Sequence, residues 1–307
     1  MMIAIVALLA AWLAQTPTPG PPPDSEIYLA DLHASDGTLT VSAPVNITNS
    51  PGYDNQPSFK PDGSAIFFTS DRGATASAQT LFRTDIYRYD IRRSGKVSRV
   101  TDTREGEFSP TVTPDGRHIS VIRVEADSTQ RLWRFTLDGK QPELVLTDVK
   151  PVGYHTWADD HTLVLFVLGQ PATLQIADTR TGRADVVARG VGRSIQRIPG
   201  GHTVSFVERE APAQDGGAPT LWIRELDLNT KKVTPLTRAV AGATEADCAW
   251  TPGGVLLMAH AGALYGWRRG DADWTRIADL DALGLKGVTR IAVSPKGDRI
   301  AFVTAAS

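Results

Sequence analysis

The sequence predicts an all-β protein, a closed ring of six four-stranded antiparallel sheets known as a six-bladed β-propeller. Three observations predict it: turn signals that recur six times at intervals of 40 to 53 residues, short strand-like runs on both sides of each turn, and an incomplete unit at each end of the chain. Four-stranded units at this period are typical of propeller blades. The two incomplete units complete one another only if the ring closes.

The turn signals are short triplets rich in Pro, Asp and Gly. Pro presets the backbone angle φ for the first corner of a tight turn, and Gly accepts a positive φ at a later corner. Each triplet is therefore predicted to be the hairpin that joins the first and second strands of a blade. The triplets lie at 61–63, 114–116, 159–161, 199–201, 252–254 and 295–297.

Strand-like runs flank the turns in a fixed order. A first strand ends just before each turn, and a second strand rich in β-branched and aromatic residues follows it, as Ile66 to Phe68 do. A third run carries an aromatic or aliphatic pair, as in 85–89, and a fourth closes the unit, as in 96–101. Runs this short are typical of strands and too short for ordinary helices.

The chain ends supply the last blade between them. The sixth unit stops at Ser307 after two strands, while residues 26–30 match the third-strand pattern and residues 45–48 match the fourth. We therefore expect a single domain over residues 26–307, in which the N-terminal strands complete the last blade.

Residues 1–14 are predicted to be a signal peptide. Ile3 to Ala14 form an unbroken apolar run, which is shorter than the roughly 20 residues needed to span a bilayer but suits the apolar core of a secretory signal. The Pro-rich residues 15–25 are predicted to be an extended linker. Together they predict a periplasmic or secreted protein. The alternative is an uncleaved N-terminal anchor, which is the only membrane contact that we expect.

Composition excludes several classes of function. With 32 Lys and Arg against 34 Asp and Glu, the formal net charge is −2, so a nucleic-acid partner is not expected. The single cysteine, Cys248, excludes an intramolecular disulfide and a Cys-rich zinc site. The sequence also lacks the G-x-S-x-G and H-E-x-x-H signatures and the common phosphate-binding glycine loops. These observations favour a non-catalytic protein without a cofactor, and we expect it to be a monomer.

Three acidic residues share one position in the repeat. Asp54, Glu107 and Glu245 each stand seven residues before the proline of a turn. Because the first strand of every propeller blade lines the central channel, equal spacing predicts these carboxylates at one height around a channel mouth. The candidate ligand-binding residues at or beside this position are Asp54, Asn55, Glu107, His155, Arg193, Glu245, Asp247 and Arg290. Acids outnumber bases among them, which predicts a cationic ligand.

Two interpretations of these acids stay open. In the first they bind a basic peptide or calcium, since clustered carboxylate oxygens suit that ion. In the second each carboxylate accepts hydrogen bonds from backbone N–H groups of the neighbouring blade and so locks the ring. His155 is expected to be a hydrogen-bonding residue of the channel wall, because a metal site needs several converging ligands.

The first blade combines three short motifs, at Pro57 to Gly63, Ser70 to Gly73 and Asp85 to Tyr87. They resemble the blade of the TolB-like propellers of the bacterial periplasm, which has an apolar-Ser-Pro-Asp-Gly turn, an apolar strand, a Ser/Arg/Gly segment and Asp-Ile-Tyr. The resemblance extends from about Glu26 to the C-terminus. TolB itself carries an α/β domain before its propeller, and the resemblance here covers the propeller only.

The resemblance implies a protein-binding or ligand-binding scaffold, or a propeller that gates substrate as in prolyl-peptidase-like hydrolases. Closure of the ring, the signal-like segment and the absence of a catalytic motif favour an exported, non-catalytic scaffold that binds a protein, a peptide or a small ligand at its channel mouth. The alternative is a calcium-dependent lactone or ester hydrolase with its site at the same mouth. Six-bladed propellers of that kind build their site from scattered Glu, Asn and Asp residues, so the absence of a linear motif leaves this alternative open.

Overall fold

The structure is a computed structural model that describes residues 22–35, 37–73, 83–92, 95–211 and 219–305. All regular secondary structure in these ranges is β, arranged in six sheets. No helix among these residues is long and apolar enough to cross a membrane. The predicted signal peptide and most of the predicted linker lie outside the described residues.

The strands are numbered along the chain. The N-terminal strands are β1 (Ser25–Ser35), β2 (Thr38–Val41) and β3 (Val45–Asn46). Blade 1 has β4 (Asp54–Phe59), β5 (Ala65–Ser70), β6 (Asp85–Asp90) and β7 (Lys96–Arg99). Blade 2 has β8 (Gly106–Val112), β9 (His118–Val124), β10 (Gln130–Thr136) and β11 (Glu143–Leu144). Blade 3 has β12 (Val152–Trp157), β13 (Thr162–Val167), β14 (Thr173–Asp178) and β15 (Arg183–Arg189).

The second half of the ring follows the same order. Blade 4 has β16 (Val191–Arg197), β17 (Thr203–Glu210), β18 (Thr220–Asp227) and β19 (Val233–Arg238). Blade 5 has β20 (Cys248–Trp250), β21 (Val255–His260), β22 (Ala263–Arg268) and β23 (Thr275–Asp279). Blade 6 joins β24 (Val288–Val293) and β25 (Arg299–Ala305) to the N-terminal strands.

The ring closes between the two ends of the chain. β1 pairs antiparallel with β25, from Ser25 opposite Ala305 to Asp31 opposite Arg299. The innermost strands of successive blades contact one another around the whole ring, and β24 contacts β4. The prediction of a six-bladed propeller closed by its N-terminal strands is therefore confirmed. The sequence did not predict that β1 also forms a hairpin with β2, so that β2 and β3 share the outer edge of blade 6.

The blades pack by matching large residues with small ones. In blades 1 and 2, the third residue of the second strand packs against the innermost strand of the next blade. In blade 1 it is Phe67, which packs in one buried cluster with the smaller Val112 of blade 2. In blade 2 it is Ser120, which accepts a hydrogen bond from the indole of Trp157 in blade 3 (2.9 Å). Such matching fills the interior at the density that folded proteins require.

The innermost strands are bulged near their starts. The register between the first and second strands shifts in blades 1, 2, 3, 4 and 6. At two of these places Gln56 and Ser109 adopt positive φ angles of 56° and 52°. A bulge turns the side chains around it to new directions. Simple alternation along these strands therefore does not tell which residues face the channel.

Candidate functional site

The innermost strands of all six blades enclose an axial cavity of about 720 Å³. At one end the cavity reaches the hairpin turns between first and second strands. Five turn prolines line it there, at positions 61, 114, 199, 252 and 295. A cavity of this volume accommodates a small ligand or a short stretch of extended peptide. We refer to it as the channel.

Arg290 closes the other end of the channel. Its guanidinium donates hydrogen bonds to the side-chain oxygen of Asn55 (3.1 Å), the carboxylate of Asp247 (3.4 Å) and the hydroxyl of Tyr154 (3.3 Å). Arg290 belongs to blade 6 and Tyr154 to blade 3, which is the opposite blade, so this contact crosses the axis of the ring. One side chain thus connects blades 1, 3, 5 and 6 and blocks the channel.

The groups around this closed end of the channel favour the charged form of Arg290. Burial opposes the charged form, but the nearby Asp247, Tyr154 and Tyr53 outweigh it, and the pKa of the guanidinium is raised. Burial alone would raise the pKa of the Tyr154 phenol, yet the charges of Arg290 and Arg193 lower it. Arg193 therefore lies near the same phenol as Arg290.

A second, smaller cavity of about 210 Å³ lies beyond Arg290. Its lining includes Glu245 and His260 together with Arg193, Asp247 and Arg290. The last three residues also line the channel, so they form the partition between the two cavities.

The channel wall carries more positive than negative charge. Its charged lining residues are Arg193, Arg197, Arg290 and Asp247, and the last two form an ion pair with each other (3.4 Å). Within the part of the chain that the structure describes, no carboxylate lies at salt-bridge distance from Arg193 or Arg197. Both belong to β16, in blade 4. Bases therefore outnumber acids in the channel lining, whereas the sequence predicted more acids than bases at a channel mouth.

Asp54 and Glu107 do not face the channel. Asp54 is 1 % exposed and pairs with Arg72 of its own blade (2.7 Å). Glu107 is fully buried and accepts hydrogen bonds from the hydroxyls of Thr101 (3.2 Å) and Thr103, which follow the last strand of blade 1. Burial raises the pKa of both carboxyl groups, and that of Glu107 to about 7. These contacts connect Glu107 to blade 1, but the donors are hydroxyl groups, where the blade-locking interpretation expected backbone N–H groups.

Glu245, unlike Asp54 and Glu107, is exposed to solvent. Its side chain is 62 % exposed and pairs with Arg209 of blade 4 (2.7 Å). It precedes β20 in a segment without regular structure, where the innermost strand of blade 5 has not yet begun. Equal spacing in the sequence therefore does not bring the three acids together in one ring.

His155 is a buried residue of the channel wall. Its Nε2 shares a hydrogen bond with the hydroxyl of Ser120 (2.7 Å), which also receives the indole N–H of Trp157. Burial lowers the pKa of His155 to about 3, so the imidazole is neutral at physiological pH. Its Nδ1 has no hydrogen-bond partner among the described residues.

The described residues offer no cluster of three or more His, Cys, Asp or Glu side chains that would hold a metal ion. Two of the predicted site carboxylates, one away from the channel and one in its wall, already have cationic partners. Asp54 pairs with Arg72, and Asp247 pairs with Arg290. Hard cations such as calcium require several free carboxylate or carbonyl oxygens at one place.

Tyr154 is a channel residue that sequence reasoning misses. It stands five residues before the turn of blade 3, as Gln56, Asp247 and Arg290 do before the turns of their own blades. All four line the channel. The residue five positions before the turn thus faces the channel. The residue seven positions before it is the acid that the sequence analysis selected.

Solved structures share the fold at low sequence identity. A structure assigned to TolB of Agrobacterium tumefaciens matches with a TM-score of 0.66 and 16 % identity, over 93 % of this chain and 99 % of that chain. TolB of Acinetobacter baumannii matches with a TM-score of 0.53 and 15 % identity, over 90 % of this chain and 63 % of that chain. An oligogalacturonate lyase solved in complex with manganese matches with a TM-score of 0.53 and 13 % identity, over 94 % and 99 %. At these identities the likeness shows the fold alone.

Sequence comparison with curated proteins finds no match. A family profile described as the TolB β-propeller domain matches residues 22–181, which is more than half of the chain. The matched residues run from the N-terminal strands into blade 3 and include both Pro-Asp-Gly turns, at 61–63 and 114–116. The chain therefore belongs to the TolB β-propeller domain family.

Proposed function

We propose that this protein is an exported scaffold that binds an acidic segment of a protein partner in its channel. The observation that carries the proposal is the pair Arg193 and Arg197 on the channel wall, which lack a carboxylate partner among the described residues. Positive charge inside a cavity with low-dielectric walls attracts anionic ligands. The ligand is thus expected to be acidic, where the sequence predicted a basic one.

The rest of the lining suits a peptide. Trp157 and Trp250 contribute aromatic surface to the channel, and the turn prolines contribute apolar surface at its open end. Thr111, Thr156 and Gln196 contribute polar groups to the same wall. Ligand sites commonly combine an apolar lining with a few polar groups that fix orientation.

Membership of the TolB β-propeller family and the signal-like residues 1–14 support a periplasmic or secreted location. A binding role without catalysis is consistent with the channel chemistry, since the neutral His155 makes its hydrogen bond within the wall. The calcium-dependent hydrolase stays a prediction from the sequence, and a calcium titration tests it.

Fluorescence polarisation with degenerate hexapeptides tests the proposal. One library carries Asp and Glu at its fixed positions and the other carries Asn and Gln, each with a neutral N-terminal fluorophore. We expect the acidic library to bind about tenfold more tightly, which corresponds to about 1.4 kcal/mol. We also expect its binding to weaken as salt screens the charges.

Arg197→Gln should weaken binding of the acidic library by roughly three- to tenfold, because it removes a channel cation that has no carboxylate partner among the described residues. Arg180→Gln is the matched control, since Arg180 lies in a turn of blade 3 and pairs with Asp178 outside the channel (2.6 Å). Equal binding of the two libraries would contradict the proposal. Binding of an oligogalacturonate by a protein that binds neither library would overturn the assignment to a peptide.

A further inference from the structure

We infer that the closed end of the channel is a receptor for the C-terminal carboxylate of the bound peptide, with Arg193 as its main donor. This inference rests on the proposed function and specifies which part of the ligand reaches Arg193. Three features carry it: the channel has a blind end, a guanidinium with unused donors lies at that end, and a second guanidinium lies farther along the same strand.

The blind end limits how a peptide fits. Arg290 spans the axis from blade 6 to Tyr154 in blade 3, and it is also fixed by Asn55 and Asp247. A peptide that enters from the hairpin-turn end therefore cannot continue past this point. The part of the peptide that contacts the partition is therefore one of its two ends. That end is either the C-terminal carboxylate or the N-terminal ammonium group.

The charge at the partition selects the carboxylate. Arg290 already uses its guanidinium on three partners and is neutralised by Asp247. Arg193 donates only to the carbonyl of Thr289 (3.3 Å) among the described residues, which leaves most of its five donor hydrogens for a ligand. The planar guanidinium matches a carboxylate in bidentate geometry. A terminal ammonium group would instead face uncompensated positive charge.

Arg197 has a different part in the same arrangement. It lies four positions beyond Arg193 in β16, roughly 13 Å along a strand. It is exposed and lies next to the hairpin turn that begins at Pro199. An extended peptide whose C-terminus reaches Arg193 would place an acidic side chain a few residues upstream within reach of Arg197. The structure thus assigns the terminal carboxylate to Arg193 and a side-chain carboxylate to Arg197.

The experiment compares two acidic hexapeptide libraries that differ only at the C-terminus, one with a free carboxylate and one with an amide. We expect the full-length protein to bind the free-acid library at least tenfold more tightly by fluorescence polarisation. Arg193→Gln should reduce this preference to less than about twofold, because the free-acid library loses more affinity than the amidated library does. Arg197→Gln should weaken both libraries by the same factor and keep the preference.

The outcomes separate the inference from the proposed function. Equal binding of the free-acid and amidated libraries overturns the inference and leaves the function standing. Failure of both libraries to bind overturns the function itself. Arg193→Lys keeps the charge without the planar fork, so it should retain part of the preference, and its circular dichroism spectrum should match that of the wild type. The inference would also be overturned if both Arg193 variants kept the wild-type preference for the free-acid library over the amidated library.

Discussion

Replacement of Glu107 with Gln should change how the stability of the protein depends on pH. Glu107 is fully buried between blades 1 and 2. Burial raises the pKa of its carboxyl group from the usual 4.5 to about 7, although the hydrogen bond from Thr103 and the charge of Arg123 act in the opposite direction. Between these two values, the folded protein retains a proton that the unfolded chain has released.

The sign and size of the effect follow from proton linkage. Because the folded state binds more protons in this window, the free energy of unfolding falls as the pH rises from about 4.5 to about 7. Each unit of pKa difference corresponds to about 1.36 kcal/mol. The shift of Glu107 therefore removes about 3 kcal/mol of stability over the window, and the loss levels off above it.

Urea unfolding followed by tryptophan fluorescence between pH 4 and pH 8 measures this effect. Glutamine does not titrate, so the free energy of unfolding of the wild type minus that of Glu107→Gln should fall by about 3 kcal/mol across the window. Glu245→Gln is the control, because its exposed ion pair with Arg209 should change the free energy by less than about 1 kcal/mol at every pH. A wild-type-minus-Glu107→Gln difference that is equal at both ends of the window would refute the reasoning.

Two further predictions concern a glycine and calcium. A Cβ atom on Gly139 would lie 1.8 Å from the carbonyl oxygen of Val100 in the preceding blade, so Gly139→Ala should lower the free energy of urea unfolding by about 3 kcal/mol. Gly116→Ala, which has a similar positive φ but open space, should cost about 1 kcal/mol, and equal losses would contradict the argument. Calorimetric titration with calcium should show no site tighter than about 1 mM, and EDTA should leave the unfolding temperature unchanged. Tight calcium binding would favour the hydrolase alternative over the non-catalytic scaffold.

The sequence predicts the fold because the chemistry of a turn is local. Pro and Gly determine where a hairpin forms, and the short apolar runs around it are too brief for helices. Closure also follows from the sequence, because residues 26–30 and 45–48 supply the strands that the sixth unit lacks. The pairing of Ser25 with Ala305 confirms this prediction.

The candidate site is only partly predictable. Asn55, Arg193, Asp247 and Arg290 meet at the closed end of the channel, and all four stand among the sequence candidates. Tyr154 completes this group although no motif marks it. It can be identified from the sequence only when it is known that the residue five positions before the turn faces the channel.

What the sequence by itself determined is the number of blades, their order and the closure of the ring. What only the tertiary structure decided is the direction of each side chain and therefore the charge of the channel. The bulges near the starts of the innermost strands interrupt their alternation, so Asp54 and Glu107 lie buried beside other blade residues while Arg193 faces the cavity. Net charge and spacing do not contain that information, because burial and pairing are settled only when the blades pack together.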